Sequence, residues 1–194
     1  MPLPKDPIIL FSRWYRHAMR KEKKLPDAMC LSTVGKSGRP SARVVLLKDF
    51  DRRGFVFYTN FRSQKGKEIS RNPFVSLTFY WKAADRQVRI EGKAVPVSGE
   101  EADRYFHSRP RGYQIGAWAS DQSARLTDRS LLVLRYRKFE NKFRGIEVPR
   151  PSWWSGYRVV PSRIEFWENR PNRLHERIVF DKSNRGWKSA RLFP

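Results

Sequence analysis

Short runs of β-branched and aromatic residues, each closed by a turn signal, recur through the first half of this chain and return at its end. Such runs satisfy their backbone only by pairing with neighbours, so they commit the chain to an antiparallel sheet. Residues 28–34 read as a strand, Gly35-Lys36-Ser37-Gly38 as its turn and residues 41–49 as its partner. Residues 51–54 form a second turn, leading into Phe55-Val56-Phe57-Tyr58-Thr59 and completing a β-meander. Residues 74–81 and 87–97 read as another pair, and 157–167, 177–181 and 187–192 as the closing strands. Helix signals lie between them. Asp6-Pro7 is an N-cap with proline at the first helical position, and Ile8, Phe11, Tyr15 and Ala18 follow at helical spacing to about residue 22. A short helix over 63–70 is stopped by Asn72-Pro73. Ser98 and Glu101 form a capping box for a helix to about His107, and Thr127 opens another that carries Leu131, Leu134 and Lys138. No repeat or linker interrupts the pattern. The expectation is one domain over 1–194, mainly antiparallel β and barrel-like, with peripheral helices.

The 194 residues suffice for one hydrophobic core. No apolar run is long enough to cross a bilayer, and Met1-Pro2-Leu3-Pro4-Lys5-Asp6 lacks the apolar stretch of a signal peptide, so a cytoplasmic protein is expected. Cys30 is the single cysteine, which excludes an internal disulfide and a cysteine metal cluster. The net charge of +22 admits nucleic acid, an anionic membrane surface or small phosphorylated ligands as partners. None of the usual nucleic-acid motifs is present, so nucleic acid is disfavoured. Two stretches are dense in cations, Arg13 with Arg16, Arg20, Lys21, Lys23 and Lys24, and Arg135 with Arg137, Lys138, Lys142 and Arg144. Both read as basic faces of folded helices.

Several nucleotide motifs are excluded by context. Gly35-Lys36-Ser37-Gly38 lacks P-loop spacing and sits between strands, so it is a hairpin turn, and no G-x-G-x-x-G occurs. His17, His107 and His175 show no metal spacing, and no nucleophile elbow is present, so a hydrolase is unsupported and a cofactor would have to carry any chemistry. Four segments stand out as candidate site elements, three of them for an anion. Arg43 and Lys48 bracket an apolar strand and, five apart, would face opposite sides of it, where they could serve two separate anions, though a buried strand with solvated ends is the better reading of the segment by itself. Ser63-Gln64-Lys65-Gly66 opens a helix just after Tyr58-Thr59-Asn60, offering free N–H groups, a hydroxyl and an ammonium to a phosphate, or simply a capped helix. Arg109-Pro110-Arg111 and residues 114–118 read as a polar-aromatic loop of the kind that covers sites. Arg173, His175 and Arg177 would all point to one face of a strand, either facing an anion or simply exposed. Trp153-Trp154 suits a core edge better than a ligand stack.

Taken in order, these segments resemble the pyridoxamine (pyridoxine) 5′-phosphate oxidase family. The resemblance runs from Asp6-Pro7 to Arg191-Leu192 and is strongest at residues 43–48, at Gly54-Phe55-Val56-Phe57-Tyr58-Thr59-Asn60, at 86–92, at 105–110, at 114–120 with Gln122-Ser123, at Ile164-Glu165-Phe166-Trp167 and at Arg173-Leu174-His175. It implies an FMN-binding split barrel acting as a homodimer, with two sites at the interface. It implies oxidation of pyridoxine or pyridoxamine 5′-phosphate to pyridoxal 5′-phosphate, with O2 as acceptor and hydrogen peroxide as product. Hydride would pass from the substrate C4′ to flavin N5. Carried over by residue, Arg43, Val44, Val45, Leu46, Leu47, Lys48, Tyr58, Thr59, Gln64, Lys65, Gln87, Gln122 and Ser123 resemble FMN contacts of one subunit, and Trp154 and Arg177 those of the other. Lys48, Tyr105, Arg109 and Tyr113 resemble ligands of the substrate phosphate. Arg173, Leu174 and His175 resemble groups set against the substrate ring, with Arg173 and His175 in the catalytic role. No metal is implied. The chain departs from the pattern at Gln64, where many members have an arginine at the FMN phosphate, and at Tyr113, where a serine is usual. Ser155 and Glu176 replace a glycine and an aspartate. These departures keep open a related flavin oxidase with another substrate, of the phenazine-pathway type.

Overall fold

The computed structural model describes residues 5–194; the start of the expected non-signal N-terminus, residues 1–4, lies outside them. In chain order the elements are α1 (Pro7–Lys21), β1 (Ala28–Val34), β2 (Pro40–Leu46), β3 (Asp49–Asp51), β4 (Gly54–Asn60), α2 (Gln64–Arg71), β5 (Phe74–Trp81) and β6 (Arg86–Pro96). They continue with α3 (Gly99–Ser108), α4 (Arg111–Ala119), α5 (Arg129–Lys142), β7 (Trp154–Glu168), β8 (Glu176–Ser183) and β9 (Gly186–Leu192). All nine strands join one antiparallel sheet in the order β2-β1-β5-β6-β7-β4-β3, with β8 on β7 and β9 on β8.

β7 decides the shape. Its first half pairs with β4, its second half with β8, and β6 runs along both. Between the halves the register shifts, so Glu91 faces Arg163 while Gly92 faces Pro161 and Ser162 is the extra residue. A bulge of this kind bends the strand and raises its twist, and it accommodates a proline that a regular central strand would reject. Gly92 is required there, because a Cβ would lie 2.3 Å from the Val160 carbonyl oxygen. The sheet therefore curls into a half-barrel, and α1 closes its open side. Phe11 of α1 is fully buried, with ring centroids 4.8 Å from Phe55, 4.9 Å from Phe50 and 5.2 Å from Phe79. Burial of one such side chain contributes about 1.5–3 kcal/mol. Asp6 caps α1, accepting from the Ile8 N–H at 2.8 Å.

A second, smaller apolar cluster joins α3, α4 and α5 to the β4–β7 edge through Phe106, Ile115, Phe143, Val148 and Trp154. The basic stretches fall on and just beyond α1 and α5, as their spacing predicts. Among the described residues no helix is long and apolar enough to cross a membrane.

Four expectations need correction. The strand over 41–49 is broken, because Leu47 N–H bonds the Asp27 carbonyl whereas Lys48 N–H bonds that of Val56, so the chain changes partners at this point. The 109–118 loop is largely the helix α4; two glycines and the lack of a side-chain cap hide it in the sequence. The last long helix is capped by Asp128 rather than Thr127. Arg173 and His175 do not share a strand with Arg177. Asn172 and Arg173 take left-handed conformations (φ 56° and 60°) in a short turn, and β8 begins only at Glu176.

Candidate active site

A cavity of about 500 Å³ lies where β2 and β4 end, between the start of α2, the wall formed by α3 and β7, and α4. The crossover at Leu47 and Lys48 sets one side. Val44, Val45, Leu46 and Lys48 line it, while Leu47 turns into the core at 4% exposure. Tyr58 and Thr59 line it from the end of β4, and Lys65 from the first turn of α2. Tyr105, Arg109, Tyr113 and Trp154 complete the wall. Tyr105 stacks on Tyr58 at 3.9 Å, and Trp154 lies parallel to Tyr58 at 5.5 Å, giving a flat aromatic surface. Gln122 closes the far side, accepting from the Thr59 hydroxyl at 3.2 Å. Ser123 beside it takes a left-handed φ of 73°. A second recess adjoins the first through Asn60 and Gln122, and holds Gln64 and Ser123 together with Arg62, Lys67 and Asp121.

Two cations in the main cavity lack an anionic partner. Lys65 is 8% exposed, and its side chain makes no ion pair or hydrogen bond among the described residues. Burial is the main cause lowering its pKa, with repulsion from Arg43 adding to it and Glu68 opposing. Arg109 places its guanidinium 4.5 Å over the Trp154 ring, and its Nη1 is buried without a hydrogen-bond partner. Burial lowers its pKa too, though a guanidinium stays charged. Unpaired buried donors are expensive, so both groups are built for an anion that arrives from outside. Burial pushes the Tyr58 phenol up to about 12, keeping it neutral.

Arg43 stands behind the cavity rather than in it. Its guanidinium donates to Thr33, Ser41 and Glu68, and Glu68 also accepts from Gln64 at 2.9 Å. Burial disfavours the ionised Glu68, but hydrogen bonds from Thr33, Gln64, Ser41 and Arg43 outweigh it and hold the carboxyl at about 2. The broken strand removes the simple alternation that would put Arg43 and Lys48 on opposite faces. Lys48 is in turn paired with Asp27 at 3.0 Å.

The remaining expected residues form a separate cluster on the sheet face away from the core. Gln87, Trp167 and Arg177 pair side by side across β6, β7 and β8. The His175 ring packs on Trp167 at 4.6 Å, and its Nδ1 accepts from the Arg170 N–H at 3.3 Å, which leaves Nε2 as the ring's donor. Arg177 donates through Nε to Glu165 at 2.9 Å, and Arg89 grips the same carboxylate. Burial opposes ionisation of Glu165, which is 4% exposed, but the bonds from Arg177 and Arg89 hold its pKa below the usual range. Arg173 and Leu174 project from the preceding turn and are exposed. None of Gln87, Arg173, Leu174, His175 and Arg177 lines the cavity of its own chain, whereas Trp154, expected from a partner subunit, does. Sequence reasoning missed Trp167 and Glu165. Their signal is the two-residue period of a strand that also runs through Gln87 and Arg89 opposite.

A curled antiparallel sheet of this order, with an anion-seeking cavity at its β4 edge, defines the class: the FMN-binding split-barrel fold. A pyridoxamine 5′-phosphate oxidase-related, FMN-binding protein of Nostoc punctiforme shares that fold, with a TM-score of 0.78 at 16% identity over the whole of both chains. Residues 15–143 match the pyridoxamine 5′-phosphate oxidase family model, and residues 154–194 match the pyridoxine 5′-phosphate oxidase C-terminal dimerisation region. The chain belongs to the pyridoxamine 5′-phosphate oxidase family and is an oxidoreductase. It is 55% identical to the pyridoxine/pyridoxamine 5′-phosphate oxidase of Caulobacter vibrioides, over 97% of this chain and 85% of that one. Against the same enzyme of Rubrobacter xylanophilus the figures are 53%, 97% and 87%. The crystal structure of PhzG from Burkholderia lata 383, in complex with tetrahydrophenazine-1-carboxylic acid, superimposes with a TM-score of 0.93 at 34% identity, covering 98% of this chain and 94% of that one.

Proposed function

We propose that this protein is an FMN-dependent oxidase that converts pyridoxine 5′-phosphate and pyridoxamine 5′-phosphate to pyridoxal 5′-phosphate, with O2 as acceptor and hydrogen peroxide as product. The observation that carries this reading is a pair of cations without an anionic partner, the buried Lys65 and the half-buried Arg109 with its buried Nη1, in one cavity with a flat aromatic wall. They sit on different elements among different charged neighbours, which suits two phosphates rather than one. Lys65, with the α2 N-terminus beside it, fits the cofactor phosphate. Arg109, with Lys48, Tyr105 and the Tyr113 hydroxyl, fits the substrate phosphate.

A bound flavin would supply the two-electron acceptor. The chain's own residues bind, orient and exclude water. Tyr105 and Trp154 present an apolar plane to a flat ring, and Thr59 with Gln122 offers polar edges beside it. Orientation of C4′ then does most of the catalytic work. The Gln87, Trp167, Arg173, His175 and Arg177 cluster faces away from this cavity, so we place it in the cavity of a second copy, in a homodimer. That the family's dimerisation region covers four of these five residues supports the arrangement. In that setting His175 would offer its Nε2–H, and Arg173 its charge, to the substrate.

A second reading, a related oxidase acting on another substrate, is favoured by the likeness to PhzG and by Tyr113, a bulky side chain 65% exposed at the cavity mouth. The test is the flavin spectrum of the purified protein together with assays on both B6 phosphates. A yellow protein that turns over both supports the first reading. Flavin binding without turnover of either supports the second, and a colourless protein that FMN cannot reconstitute refutes both.

A further inference from the structure

We propose that Arg62 is a phosphate-recognition residue of the cofactor site, performing from the loop before α2 the work that Gln64 does not perform from its first turn. This inference rests on the FMN reading above. A phosphate dianion needs more positive charge than Lys65 alone provides. Arg43 is already neutralised, with Nη2 3.2 Å from the Glu68 carboxylate. The Gln64 amide donates to the same carboxylate at 2.9 Å, so it brings no charge to the recess and has one of its two N–H donors already engaged.

Arg62 lines the recess with Gln64, Gln122 and Asp121; it feels the Asp121 carboxylate, which is itself paired with Arg135, but its side chain makes no hydrogen bond or ion pair among the described residues. Its guanidinium is nevertheless held, 4.4 Å over the ring of Trp153. Stacking of this kind uses the face of the guanidinium and leaves its in-plane N–H fork free, which is the geometry that suits a phosphate. The platform itself is fixed. Trp153 packs edge-on against Trp118 at 5.1 Å, and its carbonyl accepts from the Phe61 N–H at 2.7 Å. The Arg62 N–H bonds the Asn60 side chain at 2.7 Å, so the backbone that carries Arg62 is tied to a residue lining both recesses. Arg62 is thus a pre-positioned cation with unused donors, and Trp153 is its support.

The experiment is titration of the flavin-free protein with FMN and with riboflavin, which lacks the phosphate, followed by flavin fluorescence. Arg62→Ala is expected to raise the Kd for FMN about tenfold while leaving that for riboflavin within about twofold. Arg62→Lys recovers part of the loss, and Gln64→Arg added to Arg62→Ala restores FMN affinity by returning a guanidinium to the recess. If Arg62→Ala keeps the full preference for FMN over riboflavin, the role of Arg62 is refuted while the cofactor reading stands. If the unmodified protein shows no preference for FMN, both are refuted.

Discussion

Lys65→Met gives a prediction with opposite signs in two assays. Lys65 is 8% exposed and its side chain has no ion-pair or hydrogen-bond partner among the described residues, so the flavin-free fold carries an ammonium only partly compensated by Glu68. Methionine keeps the length and the apolar stem while removing that charge. Replacement of a buried charge by a well-packed apolar group is neutral to stabilising, so a gain of about 1 kcal/mol is expected, or 2–4 °C in Tm for a chain of this size. The sign with pH follows from the lowered pKa of Lys65. Below its ordinary value of 10.5 the unfolded chain holds this proton more tightly than the fold does, so stability of the unmodified protein rises with pH through that window and the gap to Lys65→Met closes. FMN binding moves the other way. Loss of one charge-assisted bond to phosphate removes about 1.5–3 kcal/mol, a ten- to hundredfold weaker Kd. Thermal melts of the flavin-free protein at several pH values, with FMN titration, read both effects. A Lys65→Met protein that is less stable without flavin yet binds FMN as well as before would refute the reasoning.

Arg109→Met removes the orphaned Nη1 and should raise KM for either B6 phosphate by tenfold or more with flavin content intact, in steady-state assays. Glu68→Gln breaks the hub that holds Arg43. Because the carboxyl sits at about 2 rather than 4.5, its contribution is complete above pH 4.5 and is lost as pH falls through about 2, so acid unfolding of the unmodified protein should be steeper there than that of Glu68→Gln, with a difference at neutral pH of roughly 1–3 kcal/mol. Arg173→Leu should spare flavin binding and cripple turnover, whereas Arg177→Leu should lower flavin retention; spectra and activity of the two purified variants separate these outcomes.

Most of the sheet was legible because its strands carry a two-residue period and strong turn signals, as at Gly35-Lys36-Ser37-Gly38 and Asp51 to Gly54. The N-caps at Asp6 and Ser98 were equally plain. What the sequence hides is where hydrogen bonds change partner. The swing at Leu47 and Lys48 undoes the alternation on which the facing of Arg43 and Lys48 was argued. Helix α4 is masked by Gly112 and Gly116, and its start is tied to the preceding turn by the Gln114 amide, which donates to the Arg109 carbonyl at 2.8 Å. Arg173 and His175 spaced like strand residues, yet Pro171 and two left-handed residues make a turn of that segment. In the site, the charges were legible and their state was not. Only the packing tells that Lys65 and Arg109 are unpaired while Arg43 is spent on Glu68.

The proposed reaction is transfer of a hydride from C4′ of a B6 phosphate to a bound flavin. It is tested most directly by mixing the flavin-loaded protein with pyridoxine 5′-phosphate in the absence of oxygen and following the flavin spectrum. The account predicts bleaching of the oxidised flavin, one pyridoxal 5′-phosphate formed per flavin, and return of the colour with peroxide when air is admitted. A flavin that stays oxidised with both pyridoxine and pyridoxamine 5′-phosphate would contradict it.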